Sequence, residues 1–169
     1  VLNAGGSGDS SFVSMNPYQK SSGQAKLTWK QGNFKVALTG IGSTESFNGG
    51  RGIQEMTFMP EWRRNEQKDA FTTFLKLTHT LSATTFYELG ITRSKTEFDS
   101  ALFDDPFDAR YQDNTYIDFT DGINTSNFRV GGTDNGRFSR STETYLVKWD
   151  LTSQFSKRNM VKAGIEFRK

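Results

Sequence analysis

The chain has 169 residues, long enough for one domain with a good core, yet only 34 % are hydrophobic while 14 % are aromatic. A formal net charge of +2 without clustered basic residues gives little electrostatic support for nucleic-acid binding. With no Cys there is neither a disulfide framework nor a thiolate site, and no run of about 18 apolar residues exists to make a transmembrane helix. Residues 1–23 are rich in Gly, Ser and Asn, show no period, and read as a loop. From Gln24 to Lys30, Ala25, Leu27 and Trp29 oppose Lys26, Thr28 and Lys30, which predicts a strand. Gln31-Gly32-Asn33 makes a tight turn, and a second strand follows from Phe34 to about Thr44. Residues 45–69 read as a long irregular connection, within which Ile53 to Met59 offers an outward extension of a strand.

The second hairpin is expected over residues 70–98. Phe71, Leu75 and Leu77 lie in one register against Thr72, Lys76 and Thr78, with Phe74 breaking the pattern. After the turn Ser82-Ala83-Thr84, Tyr87, Leu89 and Ile91 oppose Glu88, Gly90 and Thr92. Arg93 to Glu97 carry charge in the register that was apolar, as where a strand rises above a membrane. Residues 99–140 form another long connection, acidic, aromatic and rich in Gly and Asn. The third hairpin, 141–169, has the clearest alternation. Tyr145, Val147, Trp149, Leu151 and Phe155 oppose Thr144, Lys148, Asp150, Thr152 and Gln154. Beyond Ser156 to Asn159, Val161, Ala163, Ile165 and Phe167 oppose Lys162, Gly164, Glu166 and Arg168.

Three hairpins therefore share one layout, with short turns at one end and long polar connections at the other. A soluble sandwich has no reason for that polarity, whereas outer-membrane barrels have short periplasmic turns and long external loops. The expectation is an all-β chain, about six antiparallel strands of a transmembrane β-barrel wall, each long enough to cross a bilayer at a tilt.

Several stretches resemble the TonB-dependent outer-membrane receptors of Bacteroidetes, the SusC-like and carboxypeptidase-regulatory-domain group. They are Leu75 to Ser82, Thr85-Phe86-Tyr87, Asp105-Pro106-Phe107-Asp108-Ala109-Arg110-Tyr111, Thr144 to Leu146 with Lys148 to Gln154, and Lys162 to Arg168. The likeness runs from about Asn16 to the C-terminus. It implies a barrel of about 22 strands, closed by a plug and served by an inner-membrane energy complex. Nothing here resembles a signal peptide, plug, TonB box or regulatory domain, and Phe167-Arg168-Lys169 lacks a terminal aromatic, so a segment of a larger protein is expected. Six strands alone leave an open edge in lipid with unsatisfied backbone groups.

The resemblance implies import of a bulky nutrient (glycan, peptide or metal chelate) across the bacterial outer membrane. Its partners would be outer-membrane lipid, the rest of the barrel and plug, the TonB-type complex and a surface lipoprotein. The rival readings are a structural barrel scaffolding lipoproteins or a secretion or motility machine and, more weakly, a soluble β-rich binding module. No nucleic-acid partner, cofactor or catalysis is expected: no Ser/His/Asp set or phosphate loop exists, and Gly49-Gly50-Arg51-Gly52 matches no nucleotide motif. His79, the sole histidine, lies in the apolar register beside a short turn, where a structural role is ordinary. Asp104, Asp105 and Asp108 are weak metal candidates without EF-hand spacing, and Pro106 indicates a turn.

Lys76, Glu88, Lys148, Asp150, Lys162, Glu166 and Arg168 are expected to face the lumen. There they would line a transport path, anchor the plug, or simply pair across strands in a solvated wall. Trp29, Tyr87, Trp149 and Phe155 are candidates for a membrane-interface girdle. Trp62, Phe103, Phe107, Tyr111 and Tyr116 fall in the external connections, where they would stack on a ligand or pack the loops.

Overall fold

Each stretch of two-residue alternation forms a strand in the computed structural model, which describes residues 14, 16–49, 62–112, 117–118, 129–130 and 134–169. The long strands are β1 (Tyr18–Gln31), β2 (Phe34–Asn48), β3 (Asn65–Ser82), β4 (Thr85–Ala101), β7 (Phe138–Gln154) and β8 (Met160–Arg168). They make one six-stranded sheet in the order β1-β2-β3-β4-β7-β8. The two-residue strands β5 (Ile117–Asp118) and β6 (Arg129–Val130) pair separately, and a 3-10 turn covers Ala109–Gln112.

Adjacent long strands run antiparallel, because short turns join β1 to β2, β3 to β4 and β7 to β8. Between hairpins the same direction follows from the backbone. Thr80 N–H donates to Asn33 O and Gln154 N–H to Thr84 O, pairing strand starts with strand ends. Gly32, at φ +55°, supplies the left-handed conformation that the first turn needs and that a side chain would resist. In the last hairpin the register pairs Val147 with Phe167, Trp149 with Ile165 and Leu151 with Ala163, while Lys148 meets Glu166. Like residues thus share a face, and a slip of one residue would invert every one of them.

The structure corrects the expected boundaries. Residues 18–23 are strand, not loop, and so are 45–48, 65–69, 99–101 and 138–140. Apart from Gln31 and Ser82, the added length lies at the ends away from the short turns. There both faces are polar, so alternation of hydrophobicity carries no signal even though the backbone ladder continues. The proposed extension over Ile53 to Met59 lies outside the described residues.

The sheet is not closed into a barrel. Among the described residues β1 and β8 each pair with one neighbour only. The chain divides into two compact units. One holds the strand bodies and short turns (21–44, 69–97 and 141–169); the other holds 1–20, 45–68 and 98–140. They are called here the strand unit and the loop unit.

Candidate functional site

In the strand unit the side chains sort onto two faces. Phe34 stacks on His79 with ring centroids 3.9 Å apart, and His79 meets Tyr87 edge-on at 5.2 Å. The Nδ1 of His79 lies 3.2 Å from the Tyr87 hydroxyl, so the lone histidine is one ring in a row that crosses β2, β3 and β4. Thr85 and Ser153 hydroxyls, 2.8 Å apart, link β4 to β7 on this same face. The face continues with Leu27, Trp29, Phe71, Leu75, Ile91, Tyr145, Val147, Trp149, Ile165 and Phe167, all exposed. Leu27 and Ile165 are each 71 % exposed and Phe167 67 %. No hydrophobic residue of this unit is buried among the described residues.

The apolar register ends where charges begin. Arg93 pairs with Glu143 at 2.6 Å and lies over the Tyr145 ring, and Lys95 pairs with Glu97 at 2.6 Å. Of the aromatics expected at a membrane interface, Trp29, Trp149 and Phe155 are exposed, and Tyr87 joins the row through His79. Trp29, Tyr87 and Trp149 lie in the apolar register of their strands, and Phe155 follows the end of β7.

The opposite face is polar and internally paired. Lys76 meets Glu88 at 2.8 Å, Lys148 meets Asp150 at 3.2 Å, and Arg168 meets Glu166 at 3.3 Å. Thr78 donates to Glu88, and Thr72 and Ser94 hydroxyls lie 3.0 Å apart. Glu88, Lys148, Asp150 and Lys162 line a shallow groove of about 350 Å³. The seven charged residues expected to face a lumen all occupy the polar register of their strands. Phe74, which breaks the alternation, also lies on this polar face. A Cβ on Gly90 would come 3.2 Å from the Phe74 ring, so the aromatic covers a glycine that leaves it room.

The loop unit is organised differently. Its only buried hydrophobic residue among those described is Tyr111, 5 % exposed. The Tyr111 hydroxyl accepts from the Leu102 and Phe103 amides at 3.0 and 2.8 Å and donates to Phe103 O at 3.2 Å. Phe103 packs edge-on against both Tyr111 and Trp62, while Arg110 lies 3.8 Å over Phe103 and Arg137 4.5 Å over Tyr111. The Arg137 guanidinium also donates to Pro106 O. Tyr111 is thus engaged in loop packing through both its ring and its hydroxyl. Trp62 and Phe103 are partly covered, Phe107 is fully open, and Tyr116 lies outside the described residues. A cleft of about 400 Å³ runs past Asn65, Gln67, Asp99, Phe103, Asp104, Arg137 and Phe138.

The three aspartates do not converge. Asp105 caps the Phe107 amide at 2.8 Å, and Asp108 takes both a backbone and a bidentate side-chain interaction from Arg110. The Arg110 guanidinium holds the Asp108 carboxyl down to about 2, and Asp108 in turn raises Arg110. Among the described residues no group of three His, Asp or Glu is placed to hold a metal ion. Sequence reasoning missed three buried polar residues of this unit, Arg63, Ser100 and Asp134. Asp134 accepts from Arg64 at 3.1 Å and from the Gly136 amide, and Arg63 donates to Asn48 O. Arg64, the partner of Asp134, lies 70 positions away in the sequence.

Comparison of the chain with known protein families, with curated proteins and with solved structures finds no match.

Proposed function

We propose that the chain forms part of the barrel wall of a TonB-dependent outer-membrane transporter that imports a bulky nutrient. The observation that carries this reading is the uncovered apolar face of the strand unit. A six-stranded sheet with Leu27, Trp29, Phe71, Ile165 and Phe167 exposed, and no buried hydrophobic residue of its own, has the surface that lipid would cover. Its reverse face, carrying both signs of charge in local pairs, suits a water-filled lumen. The open edges of β1 and β8 call for further strands, since unpaired backbone groups are not tolerated in hydrocarbon. Nutrient import itself rests on the resemblance to TonB-dependent receptors and on the long connections at one end of the strands.

The membrane reading predicts detergent-dependent solubility and heat-modifiable migration on a detergent gel; a monomer soluble in water without detergent would sink it. Because the chain has no Cys, single cysteines report topology cleanly. A membrane-impermeant maleimide should label Phe107→Cys on intact cells and Lys157→Cys only after lysis. Import is tested by accumulation of labelled glycans, peptides and metal chelates, with and without the chain and the energy complex. A panel showing no uptake that depends on both would leave a structural barrel instead.

A further inference from the structure

Aromatic rings of the loop unit pack on one another. Trp62, Phe103 and Tyr111 form one group, Phe98 lies against Phe138, and Tyr18 lies against Phe47. Phe107 stands apart. At 88 % exposed it is the most open of the large hydrophobic residues described, and no described ring or guanidinium packs on it. The backbone that carries this ring is nonetheless held from several sides. Phe107 N–H donates to Asp105 Oδ1 at 2.8 Å, and Asp108 N–H donates to Asp105 O at 3.1 Å. Pro106, whose ring fixes φ, accepts from the Arg137 guanidinium through its carbonyl oxygen. Beyond Phe107, Tyr111 N–H donates to Asp108 O, and the Tyr111 hydroxyl ties back to the Leu102 and Phe103 amides. The exposure of Phe107 is therefore set by a bonded loop.

A ring on a fixed backbone loses less conformational freedom on binding than one on a slack loop, and covering it removes apolar area from water. Sites for small molecules are concave, whereas a ring this open has no cavity of its own. The cavity that takes it must belong to the other molecule. Phe103 and Tyr111, the rings that would extend Phe107 into a platform for a sugar, are already packed together. Charge narrows the partner further. Asp108 and Arg110 neutralise each other, and Arg137 is held by Pro106 O and the Tyr111 ring. That leaves Asp104 and Asp105, both exposed and without a paired cation among the described residues. We propose that Phe107 anchors a protein partner that receives the ring in an apolar pocket edged by lysine or arginine. The inference goes beyond the transport reading and does not depend on it, since it needs the loop unit alone.

The test uses the protein as its own cells make it, with the photoreactive substitution Phe107→p-benzoylphenylalanine. Illumination should join position 107 to a different polypeptide, and mass spectrometry should place the bond on an apolar segment flanked by Lys or Arg. With that partner purified, Phe107→Ala should weaken binding roughly thirtyfold, the loss that marks an interface anchor. Asp104→Asn/Asp105→Asn should weaken it about threefold and flatten its dependence on salt. Lys157→Gln, in the other unit, should leave the affinity unchanged. Hydrogen exchange at the Leu102 and Phe103 amides should be the same in Phe107→Ala as in the unaltered protein, which separates a lost contact from a lost fold. A photoproduct confined to the same chain, a second copy, lipid or glycan overturns the inference, as does the absence of any photoproduct. A loss below about threefold for Phe107→Ala, or one that comes with faster exchange at those amides, overturns it too. A photoproduct formed by a protein that stays out of membranes defeats the transport reading alone; a membrane barrel that gives none defeats this inference alone.

Discussion

The two units of this chain solve opposite problems of burial. The loop unit turns inward, closing Tyr111, Arg63, Ser100 and Asp134 away from solvent and stacking two arginines on its rings. Its buried polar groups are paired rather than left alone. The strand unit turns nothing inward. Its largest apolar side chains are exposed and its charges pair along the reverse face. In water such a sheet would present an apolar patch far beyond what a soluble monomer tolerates. The difference is one of burial, inward in one unit and absent in the other, and each prediction tests one side of that contrast.

The largest effect is expected on the apolar face. Ile165→Arg in β8 should cost about 2–4 kcal/mol in a bilayer, where a cation meets hydrocarbon. In water the same exposed substitution would stay within about 0.5 kcal/mol. Urea titration of the complete barrel that contains the chain, folded into vesicles, measures the cost; a value near zero would remove the difference between the units.

Next comes the inward side. Tyr111→Phe keeps the ring but strands two backbone amides that the hydroxyl satisfies, which should cost about 1–3 kcal/mol. Hydrogen exchange should accelerate at Leu102 and Phe103 and leave the amides of β7 and β8 unchanged. Acceleration throughout both units would mean that they unfold as one.

What the sequence made legible follows the same division. The strand bodies were readable because Leu, Trp, Phe and Ile alternate there with Lys, Thr and Glu, and the facing pairs of β7 and β8 follow from that alternation. The strand ends were not. Tyr18 to Gly23 and Asn65 to Asp69 offer no apolar register, so their pairing shows only through contacts such as Lys20 with Glu45 and Ser46 with Asn65. For Tyr111 the sequence left ligand stacking and loop packing both open, because its partners are backbone groups of Leu102 and Phe103, which no residue pattern encodes. Asp134 with Arg64 is a contact between distant positions and is invisible to any local reading.

Phe74 sharpens the strand side, since it looked like an error of alternation. Gly90→Val should cost about 1–3 kcal/mol by crowding the ring that lies 3.2 Å from the added Cβ. Phe74→Ala in the same chain should relieve most of that cost. A double-mutant cycle reads the coupling directly, and additive costs would mean that the two residues do not share the space.

The smallest effect is a titration in the loop unit. Asp108 ionises with a folded-state value of about 2, below its ordinary 3.8, because Arg110 bonds the carboxylate. A group whose value is depressed by folding contributes stability that is fully present above its ordinary value and is lost as pH falls through the folded one. The contribution of Asp108 should therefore persist from neutral pH to about 4 and disappear between about 4 and about 2. Both side chains of the pair meet solvent, so the effect belongs to the local turn rather than to the whole unit. The Asp108 carboxyl carbon, followed by NMR, should titrate near 2, and Arg110→Gln should return it toward 3.8. A midpoint near 3.8 in the unaltered chain would mean that the bidentate pair does not persist in solution. It would also remove one of the two arginines that hold the inward-facing unit around its rings.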